Sequence, residues 1–335
     1  MSVWILAAIL AYWVASVCYV FGFRGRVRYA TLSQYMRKSW PIFAPVNCLL
    51  YMTTRRHARG PVVDGASLED IALIRSQWQL IREEALALYR SGQLHATSQP
   101  GSAGFHDLGF RTFYKRGWMK FYVKWYGPAH RSAQRLCPET TRIVDQLPSI
   151  RGAMFSILPA GAALTLHSDP LACSLRYHLG LDTPNSAHCH INIDGRPVAW
   201  RNGEDFVFDE TYPHHASNNT DQARIILMCD VERPMHWPGR LLNRLYMQIA
   251  RGMAVPNTAE DRQGVISRVF ERITPIRNAG IRLKQRHRPL YKLLKYVLNL
   301  ALIGMLVLSI YAALRLFESA GDTMNVQQEA APEHA

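Results

Sequence analysis

The segment from Ile150 to Val231 carries the pattern that most limits what this chain can fold into. Its apolar residues come in short runs, and Asp, Gly, Pro and Asn residues separate the runs. Short apolar runs between turn-forming residues are typical of β-strands, and Asp194-Gly195 is a common sequence for a tight hairpin turn. The segment is therefore predicted to be an antiparallel β-region, and a jelly-roll barrel fits such a series of strands.

Two histidines and an aspartate in this region have the spacing of a metal site. His167 and Asp169 are two residues apart, so their side chains lie on one face of a strand. His214 follows forty-seven residues after His167 and must come from another strand of a folded-over sheet. Two imidazoles and one carboxylate form the facial triad that binds Fe(II) and leaves three positions open. We therefore predict that these three residues are metal ligands and the catalytic centre.

An arginine follows the second histidine of this triad. Arg224 lies ten residues after His214. A guanidinium group binds a carboxylate through two parallel hydrogen bonds. Arg224 is therefore predicted to bind the far carboxylate of 2-oxoglutarate, with O₂ as the second co-substrate at the open iron positions.

Three other histidines compete for places in such a site. His215 adjoins His214, and only one of the two can face the barrel interior. His188 and His190 form a rival pair on one strand face, but no carboxylate follows them at a comparable spacing. We expect these three histidines to lie around the metal site or at the surface, and their roles stay open.

Four motifs in this region occur in a characteristic order. They read Thr-Leu-His-Ser-Asp-Pro at 165–170, Leu-Arg-Tyr-His-Leu-Gly-Leu at 175–181, Phe-Asp-Glu-Thr-Tyr-Pro-His at 208–214 and Arg-Ile-Ile-Leu-Met-Cys-Asp-Val at 224–231. This set resembles the aspartyl/asparaginyl β-hydroxylase family of 2-oxoglutarate dioxygenases over residues 150–234. The resemblance implies a cupin-like double-stranded β-helix with His167 and His214 on iron.

The same resemblance implies further site residues. Arg224 would bind 2-oxoglutarate with support from Ser156, Arg176 and His178, although a histidine satisfied within the core is the alternative for His178. Animal members of the family have glycine where Asp169 stands, so Asp169 would complete the triad in this chain. The alternative for Asp169 is a solvated turn residue before a proline.

The charge balance points to an anionic partner. The chain has 335 residues, with 39 Lys and Arg against 25 Asp and Glu, and a net charge of +14. Such a balance favours nucleic acid or a phospholipid surface. No zinc finger, RNA-binding signature or helix-turn-helix pattern occurs, so a bilayer with an anionic lipid is the favoured partner. No obligatory protein partner is indicated.

Apolar segments near both ends predict transmembrane helices. Val3–Phe23 contains no charged residue, and 296–314 is interrupted only by Asn299. Basic residues crowd the inner flank of each segment, which places the intervening chain in the cytoplasm by the positive-inside rule. We therefore predict a multi-pass membrane protein with its catalytic domain facing the cytoplasm. Buried core helices are the alternative.

The predicted fold is mainly β, with flanking helices around the barrel. The predicted segments are an N-terminal transmembrane helix (1–23), a basic juxtamembrane or interfacial segment (24–66), a helical and aromatic flanking region (67–149), the dioxygenase β-helix core (150–234), a basic amphipathic helical region (235–295), a C-terminal transmembrane helix (296–316) and a polar acidic tail (317–335). Residues 117–127, rich in aromatics and lysines, either bind the substrate or form a strand that packs on the flank of the barrel.

Within the family, the terminal apolar segments and the complete triad resemble the bacterial lipid A 2-hydroxylases. This resemblance implies a location in the bacterial inner membrane and Fe(II)- and 2-oxoglutarate-dependent hydroxylation of a fatty acyl chain of lipid A. The alternatives are another acyl lipid such as ornithine lipid, Asp or Asn side chains of a protein, and a membrane scaffold with an inactive barrel.

Overall fold

The structure, a computed structural model, describes residues 3–68, 71–97, 99, 101–105, 107, 109–110, 117–298, 301, 304–305 and 308. Residues 12–271 form one compact unit, which contains all the strands named below. A second unit consists of residues 1–11 and 272–335 as far as they are described, and it is helical.

The helices are α1 (Val3–Gly22), α2 (Leu32–Lys38), α3 (Ala44–Thr53), α4 (Ile71–Ser76), α5 (Trp78–Arg90), α6 (Gln93–Ala96), α7 (Arg131–Leu136), α8 (Pro138–Asp145), α9 (Trp237–Gly252) and α10 (Val265–Arg286). The strands are β1 (Val62–Val63), β2 (Met119–Trp125), β3 (Ile150–Leu158), β4 (Ala163–His167), β5 (Ser174–Asp182), β6 (Cys189–Ile193), β7 (Arg196–Ala199), β8 (Asp205–Phe208), β9 (His214–Asn218) and β10 (Arg224–Glu232).

Strands β3 to β10 are distributed over two antiparallel sheets. The larger sheet has the order β1-β8-β5-β10-β3-β2, and the smaller sheet has the order β4-β9-β6-β7. Most successive strands change sheet, and apolar residues of both sheets meet in one buried cluster between them. This connectivity is that of a jelly roll, so the predicted jelly-roll domain is confirmed.

The larger sheet is covered on both faces, and β10 shows how its sequence allows this. Leu227 and Cys229 pack outward into a cluster with α5 and α8, whereas Ile226 and Met228 pack inward against the smaller sheet. Side chains alternate along a strand, so a strand with both faces buried is apolar at nearly every position. The run from Ile225 to Cys229 meets this demand.

The predicted membrane location is wrong. Among the helices of the described residues, none has both the length and the apolar character needed to cross a bilayer. Residues 12–22 of α1 lie against the domain, where the hydroxyl of Tyr12 donates to the carbonyl of Pro45 at 2.9 Å and Ser16 is buried. The longest helix, α10, carries charged residues along its length. This finding overturns the predicted N-terminal transmembrane helix and the multi-pass inner-membrane location with a cytoplasm-facing domain.

The remaining predicted segments fall as follows. The second apolar segment, 296–316, lies largely outside the described residues, and the tail 317–335 lies wholly outside them. Residues 24–66 contain α2, α3 and β1, and residues 67–149 contain α4 to α8 and β2. The division of the chain at the other predicted boundaries stays a prediction.

Candidate metal centre and co-substrate pocket

The smaller sheet brings the two predicted histidine ligands together. His167 ends β4 and His214 begins β9, and the two residues are direct partners in the antiparallel register. Their ring centroids are 4.2 Å apart. Asp169 follows in the loop after β4, with one carboxylate oxygen 3.6 Å from Nε2 of His167. One ligand atom from each of the three side chains lies within 4.8 Å of the others, which makes this group a candidate metal site.

Backbone carbonyls set the orientation of both imidazoles. Nδ1 of His167 donates to the carbonyl of Thr165, and Nδ1 of His214 donates to the carbonyl of Tyr212, each at 2.9 Å. With the proton on Nδ1, each ring presents the lone pair of Nε2 to the space beside Asp169. Burial, together with the neighbouring His167, lowers the pKa of His214 to about 3. Its imidazole is therefore neutral near pH 7, as a metal ligand must be.

The carboxylate of Asp169 belongs to a larger charged cluster around Arg176. Nη2 of Arg176 lies 3.6 Å from Asp169 and also forms an ion pair with Glu210, and its Nε lies 2.9 Å from Asp230. Burial raises the pKa of Asp169, but His167, His214 and Arg176 outweigh it and hold this pKa below its ordinary value.

The pKa of Glu210 in this cluster shifts in the opposite direction from that of Asp169. Burial, together with the nearby carboxylates of Asp169 and Asp230, raises the pKa of Glu210 well above its ordinary value despite Arg176. Its backbone carbonyl accepts the amide proton of Asp169 at 2.9 Å. Asp169 is the carboxylate of the cluster whose pKa is held low, and it lies beside the two imidazoles.

A second group of site residues surrounds the guanidinium of Arg224 on β10. Arg224 is 1% exposed, and its Nε and Nη2 have no hydrogen-bond partner among the described residues. The guanidinium lies over the ring of Trp200, 4.3 Å from the ring centroid. Burial lowers the pKa of Arg224 to about 9. A buried cation without an anion is unfavourable, so this pocket fits a ligand that brings a carboxylate.

His178 and Ser156 add two further buried polar atoms. Nδ1 of His178 accepts a hydrogen bond from the indole nitrogen of Trp200 at 3.3 Å, which leaves the proton on Nε2. Nε2 of His178 and Oγ of Ser156 have no partner among the described residues. Burial, reinforced by Arg224, lowers the pKa of His178 well below its ordinary value, so the ring is neutral.

The site residues therefore fall into two adjoining groups. The inner face of β5 carries both Arg176 and His178, because side chains two apart share a face. Arg176 lies among carboxylates, and His178 lies on the side of Arg224. The part taken by Arg176 in binding a co-substrate stays a prediction.

The other residues that the sequence singled out lie elsewhere. His188 is exposed, and His190 and His215 are half-buried in the smaller sheet. Residues 119–125 form β2 at the edge of the larger sheet, where Lys120 is buried in an ion pair with Asp107. Most of this segment is buried.

Sequence reasoning missed three residues of the two groups. Asp230 shares the inner face of β10 with Met228, so counting in twos along that strand could have found it. Glu210 lies inside the third motif and had no role assigned to it. Trp200 directly follows β7 in the loop that leads to β8, and no sequence pattern marks it as a neighbour of Arg224.

Comparison with known proteins agrees with this geometry. Residues 75–234 match the family model described as aspartyl/asparaginyl beta-hydroxylase. The chain is 32% identical over 192 residues to an ornithine lipid ester-linked acyl 2-hydroxylase of Rhizobium tropici, covering 57% of this chain and 66% of that protein. It is 25% identical over 171 residues to the human aspartyl/asparaginyl beta-hydroxylase, covering 50% of this chain and 21% of that protein.

A prolyl-4-hydroxylase structure from Pseudomonas putida matches 48% of this chain and 87% of its own, at 18% identity and a TM-score of 0.31. The chain spans less than two thirds of the length of the curated relatives described above. The matched segment contains the triad, Arg224 and the four ordered motifs. Through residues 75–234, this chain belongs to the aspartyl/asparaginyl β-hydroxylase family.

Proposed function

We propose that this protein is an Fe(II)- and 2-oxoglutarate-dependent dioxygenase that hydroxylates carbon 2 of a fatty acyl chain, with lipid A as its substrate. The observation that carries the proposal is the pairing of two sites. The triad of His167, Asp169 and His214 suits Fe(II). The buried Arg224 beside it has hydrogen-bond donors without a partner among the described residues, and these donors can bind an anion.

In this proposal, Fe(II) with 2-oxoglutarate and O₂ supplies the oxidant that puts one oxygen atom into a C–H bond. The reaction converts acyl-CH₂, O₂ and 2-oxoglutarate into acyl-CHOH, succinate and CO₂. The protein's own residues bind and orient. His167 and His214 present Nε2, since backbone carbonyls hold both Nδ1 protons.

The other residues complete the binding of the co-substrate. Arg224, with Nε2–H of His178 and the hydroxyl of Ser156, would hold the far carboxylate of 2-oxoglutarate. Asp169 adds the carboxylate that lies beside the imidazoles, and Arg176, 3.6 Å from that carboxylate, helps to position it. The rings of Trp200 and Phe208 shield the pocket from water, since both are buried.

The choice of a lipid rests on charge and on similarity. The net charge of +14 suits an anionic lipid such as lipid A. The similarity to an ornithine lipid acyl 2-hydroxylase favours ornithine lipid as the second candidate substrate. Similarity to the human aspartyl/asparaginyl hydroxylase keeps Asp and Asn side chains as a third candidate.

Mass spectrometry of total lipids tests the proposal. Cells that produce the protein are compared with cells that produce His167→Ala or His188→Ala, the latter an exposed histidine outside the triad. We expect lipid A species heavier by one oxygen atom with the unaltered protein and with His188→Ala, and none with His167→Ala. If only ornithine lipid gained the oxygen atom, the proposed reaction would stand and ornithine lipid would be the substrate instead of lipid A. The same oxygen gain with His167→Ala would refute the metal assignment.

A further inference from the structure

Two helices outside the family domain are bound to the loop that carries Asp169. The side chain of Asn47 on α3 donates to the carbonyl of Pro170 and accepts the amide proton of Ala172, each at 2.9 Å. Leu50 of α3 is buried in a cluster with Ala172, and Leu242 of α9 packs against the same cluster. The inner sides of α3 and α9 therefore rest on the residues directly after the candidate metal ligand.

α3 and α9 also pack against each other. The amide of His236 donates to the carbonyl of Thr53 at 2.8 Å. A Cβ atom at Gly239 would lie 2.2 Å from Oγ1 of Thr53, so the first turn of α9 needs glycine for this close approach. The two helices thus form one layer whose outer side is a single surface.

This outer side is apolar and exposed. We call it the apolar platform, and it consists of Leu49, Met52, Trp237, Leu241, Leu245 and Ile249. Leu241 and Leu245 are 61% and 64% exposed. On α9 these residues recur every fourth position, which places them in one row along the helix. Such a contiguous apolar row on the surface marks a site of interaction.

Charge around the apolar platform indicates what covers it. Residues 24–63 and 233–259, which include both helices, contain no acidic residue. Arg55 and Arg56 follow α3, and Arg240, Arg244 and Arg251 lie exposed on α9 beside the apolar row. An apolar row flanked by arginines is the pattern of a helix lying in the interface of an anionic bilayer.

We propose that the apolar platform docks on the surface of an anionic lipid bilayer without crossing it. The proposal rests on the proposed function in one respect, because docking there brings the loop of Asp169 close to its acyl substrate. Leu241, Leu245 and Ile249 enter the headgroup region, and the flanking arginines bind lipid phosphates. The platform is then a docking surface that the family domain alone does not contain, since the family match ends at residue 234.

Sedimentation with vesicles tests this proposal on the full chain without metal or co-substrate. The vesicles are an equimolar mixture of phosphatidylglycerol and phosphatidylcholine. We expect Leu245→Glu to weaken binding about tenfold or more, and Arg240→Gln with Arg244→Gln to weaken it and reduce its dependence on salt. Leu73→Glu is the matched control, because Leu73 is also an exposed helical leucine but belongs to α4, which contributes no residue to the apolar platform. Unchanged thermal unfolding would show that each variant is folded.

The outcomes separate the two proposals. Binding by the unaltered protein and Leu73→Glu, with loss in the platform variants, supports docking even if no lipid is hydroxylated. Failure of the unaltered protein to bind overturns docking, and hydroxylation of detergent-dispersed lipid in that case would keep the proposed function. Equal loss in Leu73→Glu and Leu245→Glu overturns docking as well. Docking is also overturned if the unaltered protein does not bind vesicles and forms a dimer that Leu245→Glu dissociates. The platform would then be covered by a second copy.

Discussion

Replacement of Arg224 by methionine is expected to change stability and co-substrate affinity in opposite directions. Arg224 is buried, and two of its nitrogen atoms have no partner among the described residues. Unpaired buried donors cost about 1–3 kcal/mol, and the cation–π contact with Trp200 offsets about 1 kcal/mol of this. Methionine has a similar length and no donors. The Arg224→Met protein is therefore expected to be more stable than the unaltered protein, by about 1 kcal/mol, when no co-substrate is present.

The same change removes the predicted partner of 2-oxoglutarate. Two hydrogen bonds between charged groups contribute about 3–5 kcal/mol, so the Kd for 2-oxoglutarate should rise roughly a hundredfold to several thousandfold. Calorimetric titration with Mn(II) in place of iron measures this Kd, and urea unfolding measures the stability. Arg151→Met is the control, since Arg151 is half-buried in the same sheet and already paired with Glu232 at 2.8 Å. Unaltered affinity in Arg224→Met, or a loss of stability without co-substrate, would refute the reasoning.

Two further predictions concern carboxylates of the domain. Asp169→Ala should weaken Mn(II) binding about a hundredfold or more, measured by electron paramagnetic resonance, whereas Asp182→Ala should leave it unchanged because Asp182 pairs with Arg82 away from the imidazoles. Asp209 lies between Arg24 and Arg233, which hold its pKa below the ordinary value despite burial. A depressed pKa contributes stability above about pH 4 that is lost as the pH falls further. Asp209→Asn should therefore lower the free energy of unfolding near pH 7 by about 3–5 kcal/mol and make that free energy fall less steeply in acid. Urea unfolding at several pH values measures both effects, and an unchanged fall in acid would contradict this prediction.

The jelly roll could be predicted from sequence because its evidence is local. The apolar runs and turn residues of 150–231 mark strands one by one. The spacing of His167 and Asp169 predicts a shared strand face, whereas in the structure His167 ends β4 and Asp169 follows it in the loop. The partnership of His167 with His214 was expected in outline, and the structure supplies its cause in the register of β4 and β9.

The charged cluster around Arg176 could not be predicted in the same way. Asp230 lies opposite Arg176 only because β10 pairs with β5 in one antiparallel register, with a shift near Ile225. A register across fifty residues of chain is set by the whole sheet, and a shift of one residue would turn Asp230 to the other face. The predicted N-terminal membrane helix failed for a related reason, because apolar content alone does not say whether a helix lies against protein.

The direct pairing of His167 with His214 has a consequence for folding as well. Strands β4 and β9 are forty-seven residues apart in the chain and meet in the smaller sheet. A metal ion shared by both histidines would close that span of chain into a loop. A covalent link across such a span lowers the entropy of the unfolded chain and so stabilises the folded state by about 4 kcal/mol. This value is the upper limit for the stabilisation by a metal link. Loading with metal would thus lock the register of the smaller sheet, and backbone amides of β4 and β9 would exchange their hydrogens with solvent more slowly.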